Sequence, residues 1–209
     1  MAVTGDGKAE ASMGADAGDF DNDGDEDVVV TELTGQGTNL FVNDGAARFR
    51  DASAASGIGV PSLPYTGWGT AWLDYDNDGW LDLLAVNGTI VAQEGRGSRA
   101  FPYDQQKLLF RNLATGRFES VGAPAGPAFD LSESSRGAAF GDLDNDGDTD
   151  VVVGNNRGPA HLLVNGIGSR AHWLGLRLTG AGGRDMLGAR VSVTRPGQPV
   201  LWRRARADG

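Results

Sequence analysis

Asp19-Phe20-Asp21-Asn22-Asp23-Gly24-Asp25-Glu26-Asp27 recurs twice more in the chain. The other copies are Asp74-Tyr75-Asp76-Asn77-Asp78-Gly79-Trp80-Leu81-Asp82 and Asp142-Leu143-Asp144-Asn145-Asp146-Gly147-Asp148-Thr149-Asp150. All three read D-x-D-N-D-G-x-x-D, and a pattern recurring along one chain marks a repeat architecture. The match extends outward. A small-residue run stands ahead of each copy (Gly14 to Gly18, Gly67 to Leu73, Gly137 to Gly141), and an apolar run stands behind (Val28-Val29-Val30, Leu83-Leu84-Ala85-Val86, Val151-Val152-Val153). Further on come Leu40-Phe41-Val42-Asn43, Leu109-Phe110-Arg111-Asn112 and Leu162-Leu163-Val164-Asn165. From the first Asp to that Asn the distances are 24, 38 and 23 residues, so the middle copy carries an insertion of about 14 residues. It falls within Asn87 to Lys107, whose Gly, Arg and polar residues predict a surface loop.

The flanks are short, β-branched or aromatic, and bounded by Gly and Asn, which predicts strands rather than helices. Each unit reads as strand, acidic loop, strand, hairpin, strand, turn, strand. In the first unit the last two strands are Leu40 to Asn43 and Arg48 to Asp51, joined by Asp44-Gly45. In the second they are Leu109 to Asn112 and Arg117 to Val121, joined around Thr115-Gly116. Four short antiparallel strands make up one propeller blade. The third unit breaks the pattern, passing after Asn165 through Gly166-Ile167-Gly168 into His172-Trp173-Leu174-Gly175-Leu176-Arg177-Leu178.

The 209 residues include 28 acidic and 18 basic side chains, a net charge of −10, and no Cys. A disulfide framework, a zinc-cysteine site and a thiol nucleophile are thereby excluded. The 33 Gly exceed twice the average use of about 7%, as a chain of many short, tightly turned elements requires. No window approaches the roughly 18 apolar residues of a membrane span, and the opening residues offer no apolar stretch for a signal sequence. An export signal is therefore expected outside this chain, and no membrane insertion is expected. Charge is unevenly spread: residues 1–169 hold 26 acids and 10 bases, residues 170–209 two acids and eight Arg. The change of sign divides the chain into 1–169, the acidic repeats, and 170–209, a basic tail. The acidic majority argues against a nucleic-acid partner, which needs a surplus of Lys and Arg on one face.

Carboxylates at positions 1, 3 and 5 of a tight turn converge on a common centre, and Gly at position 6 permits the positive φ that lets the chain reverse. The candidate ligands are Asp19, Asp21, Asp23, Asp74, Asp76, Asp78, Asp142, Asp144 and Asp146. Position 7 (Asp25, Trp80, Asp148) can add a backbone carbonyl, and position 9 (Asp27, Asp82, Asp150) another carboxylate. Six or seven oxygens suit calcium better than magnesium, and without imidazole or thiolate the loops are poor zinc or copper sites. They are not EF-hands, because position 12 is Val30, Ala85 or Val153 and the flanks are strands. The loops gather 15 of the 28 acids, and like charges about 4 Å apart repel by roughly 1 kcal/mol per pair even in water. A solvated Asp/Asn/Gly turn is the competing reading of any one loop; three copies with position 9 filled favour about three calcium sites with a structural role.

These residues resemble a known family. Asp19 to Asp27, Asp74 to Asp82 and Asp142 to Asp150, each followed by the Leu-Phe-x-Asn stretch, look like the FG-GAP or VCBS-type repeats of integrin-like β-propellers. The tail, Ala171-His172-Trp173-Leu174-Gly175-Leu176-Arg177-Leu178 with Arg184-Asp185-Met186-Leu187-Gly188-Ala189-Arg190-Val191, is similar to the start of the ASPIC and UnbV domain that follows such repeats in cartilage-acidic-protein-like proteins. The resemblance implies an exported, calcium-binding propeller with a small β domain behind it, used for recognition or adhesion. Propellers close with four to eight blades, whereas two complete units and one partial unit are visible, so the chain is expected to be a piece of a longer protein.

No enzyme constellation emerges. His161 and His172 each stand beside an otherwise apolar strand, no G-x-S-x-G elbow surrounds a Ser, and the Gly-rich stretches do not lead from strand into helix. Ser134-Ser135-Arg136 reads as a turn. Carboxylates occupied by calcium are ionised and cannot serve as the raised-pKa acid of a glycosidase. Trp68 and Trp72 are expected to pack between blades, while Trp80 with the nearby insertion is the candidate ligand surface. Arg203-Arg204-Ala205-Arg206 is expected to be a solvated strand face or to dock on the acidic repeats. The expectation as a whole is an all-β chain: a partial propeller of four-stranded blades with calcium loops, then the start of a small β domain. It is expected to act as an extracellular or periplasmic, non-catalytic module for protein or glycan recognition. The alternative is an accessory part of a biosynthetic or carbohydrate-active enzyme.

Overall fold

The computed structural model describes residues 7–46, 48–92 and 102–206. Of the described residues, 37% lie in strands and 9% in helices, as the all-β expectation requires. In the first unit β1 (Ala15–Gly18), β2 (Asp27–Val30), β3 (Asn39–Asn43) and β4 (Phe49–Asp51) form one antiparallel sheet in chain order. The acidic loop is the β1–β2 connection, so Asp27 both closes the loop and opens the strand. At the β3–β4 turn the Asn43 side-chain oxygen accepts the Gly45 N–H at 3.1 Å.

Two four-residue helices that strand periodicity did not predict, α1 (Ser53–Ser56) and α2 (Gly59–Ser62), lead to the second unit. Ser hydroxyls hold them: Ser56 Oγ donates to the Ser53 carbonyl at 3.1 Å and Ser62 Oγ to the Ile58 carbonyl at 2.9 Å. Ile58 between them is fully buried, which fixes the pair against the core.

The second unit repeats the first with β5 (Gly67–Leu73), β6 (Asp82–Asn87), β8 (Leu108–Asn112) and β9 (Phe118–Ser120). Between β6 and β8 the insertion adds β7 (Gln105–Gln106), which pairs with β10 (Ser132–Glu133) at the entrance to the third unit. Residues 93–101 of the insertion lie outside the described residues. Its end is no surface loop, and here the expectation needs correction. Gln105 and Lys107 are buried; Gln105 Oε1 accepts the Thr66 N–H at 2.9 Å, and the Lys107 ammonium lies 2.6 Å from Glu133 Oε2. Polar composition predicts solvation, but polar groups with partners can be buried at modest cost.

The third sheet has three strands, β11 (Ser135–Gly141), β12 (Asp150–Asn155) and β13 (His161–Leu163). A separate hairpin, β14 (Arg190–Val193) and β15 (Leu201–Arg204), follows.

Register is preserved across the repeats, with Val29 opposite Leu40, Leu84 opposite Leu109 and Val152 opposite Leu162. Because strand side chains alternate, each sheet shows one face to the unit before and one to the unit after. Phe20, Val29, Leu40 and Val42 of the first unit pack on Trp72, Leu83, Phe110 and Phe118 of the second. Phe20 stacks on Trp72 with ring centroids 5.6 Å apart. Tyr75, Leu84 and Leu109 then pack on Val151, Val153 and Leu163 of the third. At roughly 1.5–3 kcal/mol for each fully buried large side chain, these two inter-sheet cores dominate stability. Trp72 lies between sheets as expected. Trp68 donates its indole N–H to the Gly88 carbonyl at 2.8 Å beneath the Arg136 guanidinium.

Candidate metal centres and the basic tail

Each acidic loop is wound by its own first carboxylate. Asp19 accepts the N–H groups of Asp23 and Gly24 at 3.1 and 2.8 Å; Asp74 does the same for Asp78 and Gly79, and Asp142 for Asp146 and Gly147. The position-6 glycines turn at φ of +97°, +98° and +92°, a region costly for any residue with a Cβ. The position-5 carboxylates of Asp23, Asp78 and Asp146 accept the N–H of Asp25, Trp80 and Asp148 at 2.8, 2.8 and 3.3 Å.

Three carboxylate groups gather in each loop, with oxygens within 4.8 Å of one another: Asp19, Asp21 and Asp27; Asp74, Asp76 and Asp82; Asp142, Asp144 and Asp146. Positions 1, 3 and 9 therefore meet in the first two loops and positions 1, 3 and 5 in the third. Asp23, Asp25, Asp78, Asp148, Asp150 and the half-buried Trp80 stand outside these groups. Asp148 is buried and accepts the Ser169 N–H at 2.7 Å.

The position-9 aspartates have a second task that spacing alone did not show. Asp82 accepts the Tyr75 N–H at 3.1 Å with one oxygen and the Asn112 N–H at 2.7 Å with the other. Asp27 spans Phe20 and Asn43, and Asp150 spans Leu143 and Asn165, in the same way. One carboxylate thus ties the loop's second residue to the end of the third strand.

Two asparagines at each junction between units then join loop to loop, and sequence reasoning missed both. Asn22 donates to the Gly79 carbonyl at 3.3 Å and Asn77 to the Gly147 carbonyl at 3.2 Å. In the opposite direction Asn112 donates to the Phe20 carbonyl and Asn165 to the Tyr75 carbonyl, both at 2.8 Å. The available signal was Asn at position 4 of every loop, held at left-handed φ of 58°, 54° and 61° (Asn22, Asn77, Asn145), which Asn tolerates better than most residues.

Burial pushes the carboxyls of Asp19 and Asp74 up to about 6, Asp27 to about 7 and Asp82 to about 8. Neighbouring loop carboxylates add to each rise, and backbone N–H donors oppose it. Burial and then a neighbouring Asp raise Asp21 and Asp76 as well. Asp76 Oδ1, inside the second group, is buried without a hydrogen-bond partner among the described residues. A buried acceptor left unmatched among carboxylates that resist ionisation fits a hard cation, which would supply the missing partner and favour the ionised forms.

The basic tail lies on this acidic face. Arg203 donates to the Gly79 carbonyl at 3.0 Å and to Asn22 Oδ1 at 3.2 Å, and stands 3.8 Å from an Asp74 oxygen. Arg204 pairs with Glu26, and Arg206 with Asp16 at 2.7 Å. Leu201 covers Gly79, Trp202 covers Gly24, and Trp173 lies against Gly147. Of the two expectations for the arginines, docking describes the structure. Hydrogen bonds to charged groups contribute about 1.5–3 kcal/mol, and 1.4 kcal/mol is a factor of ten. Arg203→Met is therefore expected to speed amide hydrogen exchange in 201–204 by at least about tenfold, with added salt reproducing part of the effect. Unchanged exchange would mean the tail is held by apolar contacts alone.

Family comparison agrees with the repeat geometry. The model of the FG-GAP-like repeat matches residues 19–85 and 98–153. The first stretch starts on the opening Asp of the first loop and runs into β6; the second includes β8 and the whole third loop. No curated protein matches the chain. With more than half its length matched and three loops of one geometry, the chain belongs to the FG-GAP-like repeat family.

Proposed function

We propose that this chain is a calcium-binding β-propeller module for protein or glycan recognition outside the cytosol, with the ion in a structural rather than catalytic role. The observation that supports the reading is the recurrence, in all three units, of a carboxylate triad at the one connection that also ties each unit to the next. Asp19, Asp21 and Asp27, then Asp74, Asp76 and Asp82, then Asp142, Asp144 and Asp146 would hold the ions. Carbonyls at Asp25, Trp80 and Asp148 are the further oxygens proposed, with the remaining loop aspartates nearby. A bound cation supplies charge neutralisation there, and the chain's own residues do the rest: position 1 winds the loop, position 9 ties it to the sheet, position 4 joins it to its neighbour.

Residues 1–169 form the propeller part and 170–209 the start of an ASPIC/UnbV-like β domain lying on it. Calcium sites of extracellular modules bind at about 0.1–1 mM, which free cytosolic calcium would not fill. No helix among the described residues is long and apolar enough to cross a membrane. Recognition is assigned to Trp80, the half-buried aromatic being the kind that anchors interfaces and sugars, while the insertion leaves the other end of β6. Calorimetric titration of metal-stripped chain with calcium is expected to show about three sites. Absence of binding, with the circular dichroism of a folded β protein, would retire the calcium reading.

A further inference from the structure

The joint between the first and second loops also carries the tail. Asn22, which links the two loops through the Gly79 carbonyl, uses its amide oxygen to accept the Trp202 backbone N–H and the Arg203 guanidinium, both at 3.2 Å. The guanidinium donates as well to the Gly79 carbonyl at 3.0 Å and stands 3.8 Å from an oxygen of Asp74, the carboxylate that winds the second loop. A second guanidinium approaches the same turn. A terminal nitrogen of Arg195 lies 3.3 Å from where a Cβ on Gly79 would stand, and Arg195 Nε is buried with no hydrogen-bond partner among the described residues. At the matching joint between the second and third loops the covering group is uncharged: Asn77 donates to the Gly147 and Gly168 carbonyls, and the Trp173 ring lies on Gly147.

Two arginines of the tail thus stand over the second loop, which holds four aspartates where each of the others holds five. Asp74, Asp19 and Asp78 favour the charge on Arg203, and Arg195 opposes it. One carboxylate has two claims on it. Asp74 belongs with Asp76 and Asp82 to the group that could hold a metal ion, and it is also the acid at ion-pair distance from Arg203. A guanidinium and a divalent cation served by the same carboxylate repel each other, more strongly where water is partly excluded. The Arg203 side chain is only 33% exposed.

We propose that the tail and calcium oppose each other at the second loop: with Arg203 docked beside Asp74 the site holds calcium more weakly, and calcium in the site loosens residues 201–204. The inference rests on the calcium reading and adds the regulation of one of its sites. Coupling between two binding events is reciprocal, so the factor by which docking weakens calcium is also the factor by which calcium weakens docking. The tail is then a cover whose grip on the loop face follows free calcium, closed when the ion is scarce and loosened when the second site fills. Its grip is lost at the joint itself, since Arg203 and the Trp202 N–H both end on Asn22.

Calorimetric titration of the metal-stripped full chain with calcium tests this in a background of Asp21→Asn and Asp144→Asn, which take a charged ligand from the first and third loops and leave the second intact. Arg203→Met is expected to tighten the remaining site about tenfold, within the range over which two sites are commonly coupled. Arg177→Met removes an equal charge from an exposed pair with Asp185 inside the tail, and is expected to change the affinity by less than about twofold. A second readout needs no substitution. In the parent chain, saturating calcium at matched ionic strength is expected to speed hydrogen exchange of the Trp202 amide about tenfold, by the reciprocity of the coupling. A calcium affinity that Arg203→Met leaves unchanged or weakens overturns the proposal. So does calcium that slows the Trp202 amide, or an Arg177→Met variant that tightens binding as much as Arg203→Met. Absence of binding heat in the parent and in every variant removes the calcium reading itself, and this inference with it; binding that is indifferent to Arg203 removes this inference alone.

Discussion

Asp82→Ala is expected to unfold about 5–15 °C below the parent, with and without calcium, whereas Asp82→Asn keeps part of that loss back. The alanine leaves the buried N–H groups of Tyr75 and Asn112 without acceptors, at a cost of about 1–3 kcal/mol each. In a domain of this size 1 kcal/mol corresponds to roughly 2–4 °C. Asparagine retains one acceptor oxygen, so it preserves one of the two ties while removing an ionisable ligand. The pair of variants therefore separates the two tasks of this position. In chelator their difference reads the tie between loop and strand; in calcium, the stabilisation that both lose relative to the parent reads the ligand. If Asp82→Ala melted within a degree or two of the parent in chelator, the strap would be a bystander. Asp27 and Asp150 hold matching bonds and are expected to respond in the same direction.

The second large effect is the response to calcium and pH together. Each filled site at a free calcium a hundred times its dissociation constant adds about 2.7 kcal/mol, or about 5–10 °C of melting temperature per site. The sign of the pH term follows from the raised carboxyls. A group whose folded value lies above 3.8 holds a proton in the folded chain where the unfolded chain has lost it, so stability falls as pH rises through that window. With Asp19 and Asp74 near 6, Asp27 near 7 and Asp82 near 8, the chelated protein is expected to melt lower at about pH 8 than at about pH 5. Calcium competes with those protons and favours the ionised forms, so its stabilising effect is expected to grow over the same interval. Differential scanning calorimetry at both pH values, with calcium and with chelator, gives the four numbers needed. A chelated protein that melts higher at the upper pH would contradict the assigned burial of these carboxyls.

Much of this was legible because the loop motif encodes geometry directly. A glycine required at position 6 and carboxylates at 1, 3, 5 and 9 specify a turn and an acidic cluster whatever surrounds them, though positions 1, 3 and 9 meet in two loops and 1, 3 and 5 in the third; strand alternation placed the units on either side. What stayed hidden were the asparagine and lysine side chains whose partners belong to a neighbouring unit. Asn22 and Asn77 look like ordinary turn formers until the next loop's carbonyl is beside them. Lys107 looks solvated until Glu133 arrives from 26 residues away. The change of charge sign near Ser169 announced a separate element and allowed two fates for it. Only the position of Arg203 between two loops decided that it docks. The helices α1 and α2 escaped because four residues are too few for periodicity to register.

The bonds that join one loop to the next end on backbone carbonyls, those of Phe20, Tyr75, Gly79 and Gly147. Every residue has a carbonyl, so apart from Gly at position 6 the joint places no demand on the side chains beside it. Positions 7 and 8 accordingly read Asp-Glu, Trp-Leu and Asp-Thr in the three loops, whereas position 2, which packs between sheets as Phe20 and Tyr75, stays apolar. A rim built in this way can be rewritten residue by residue, to suit one ligand and then another, while the row of units it edges stays joined.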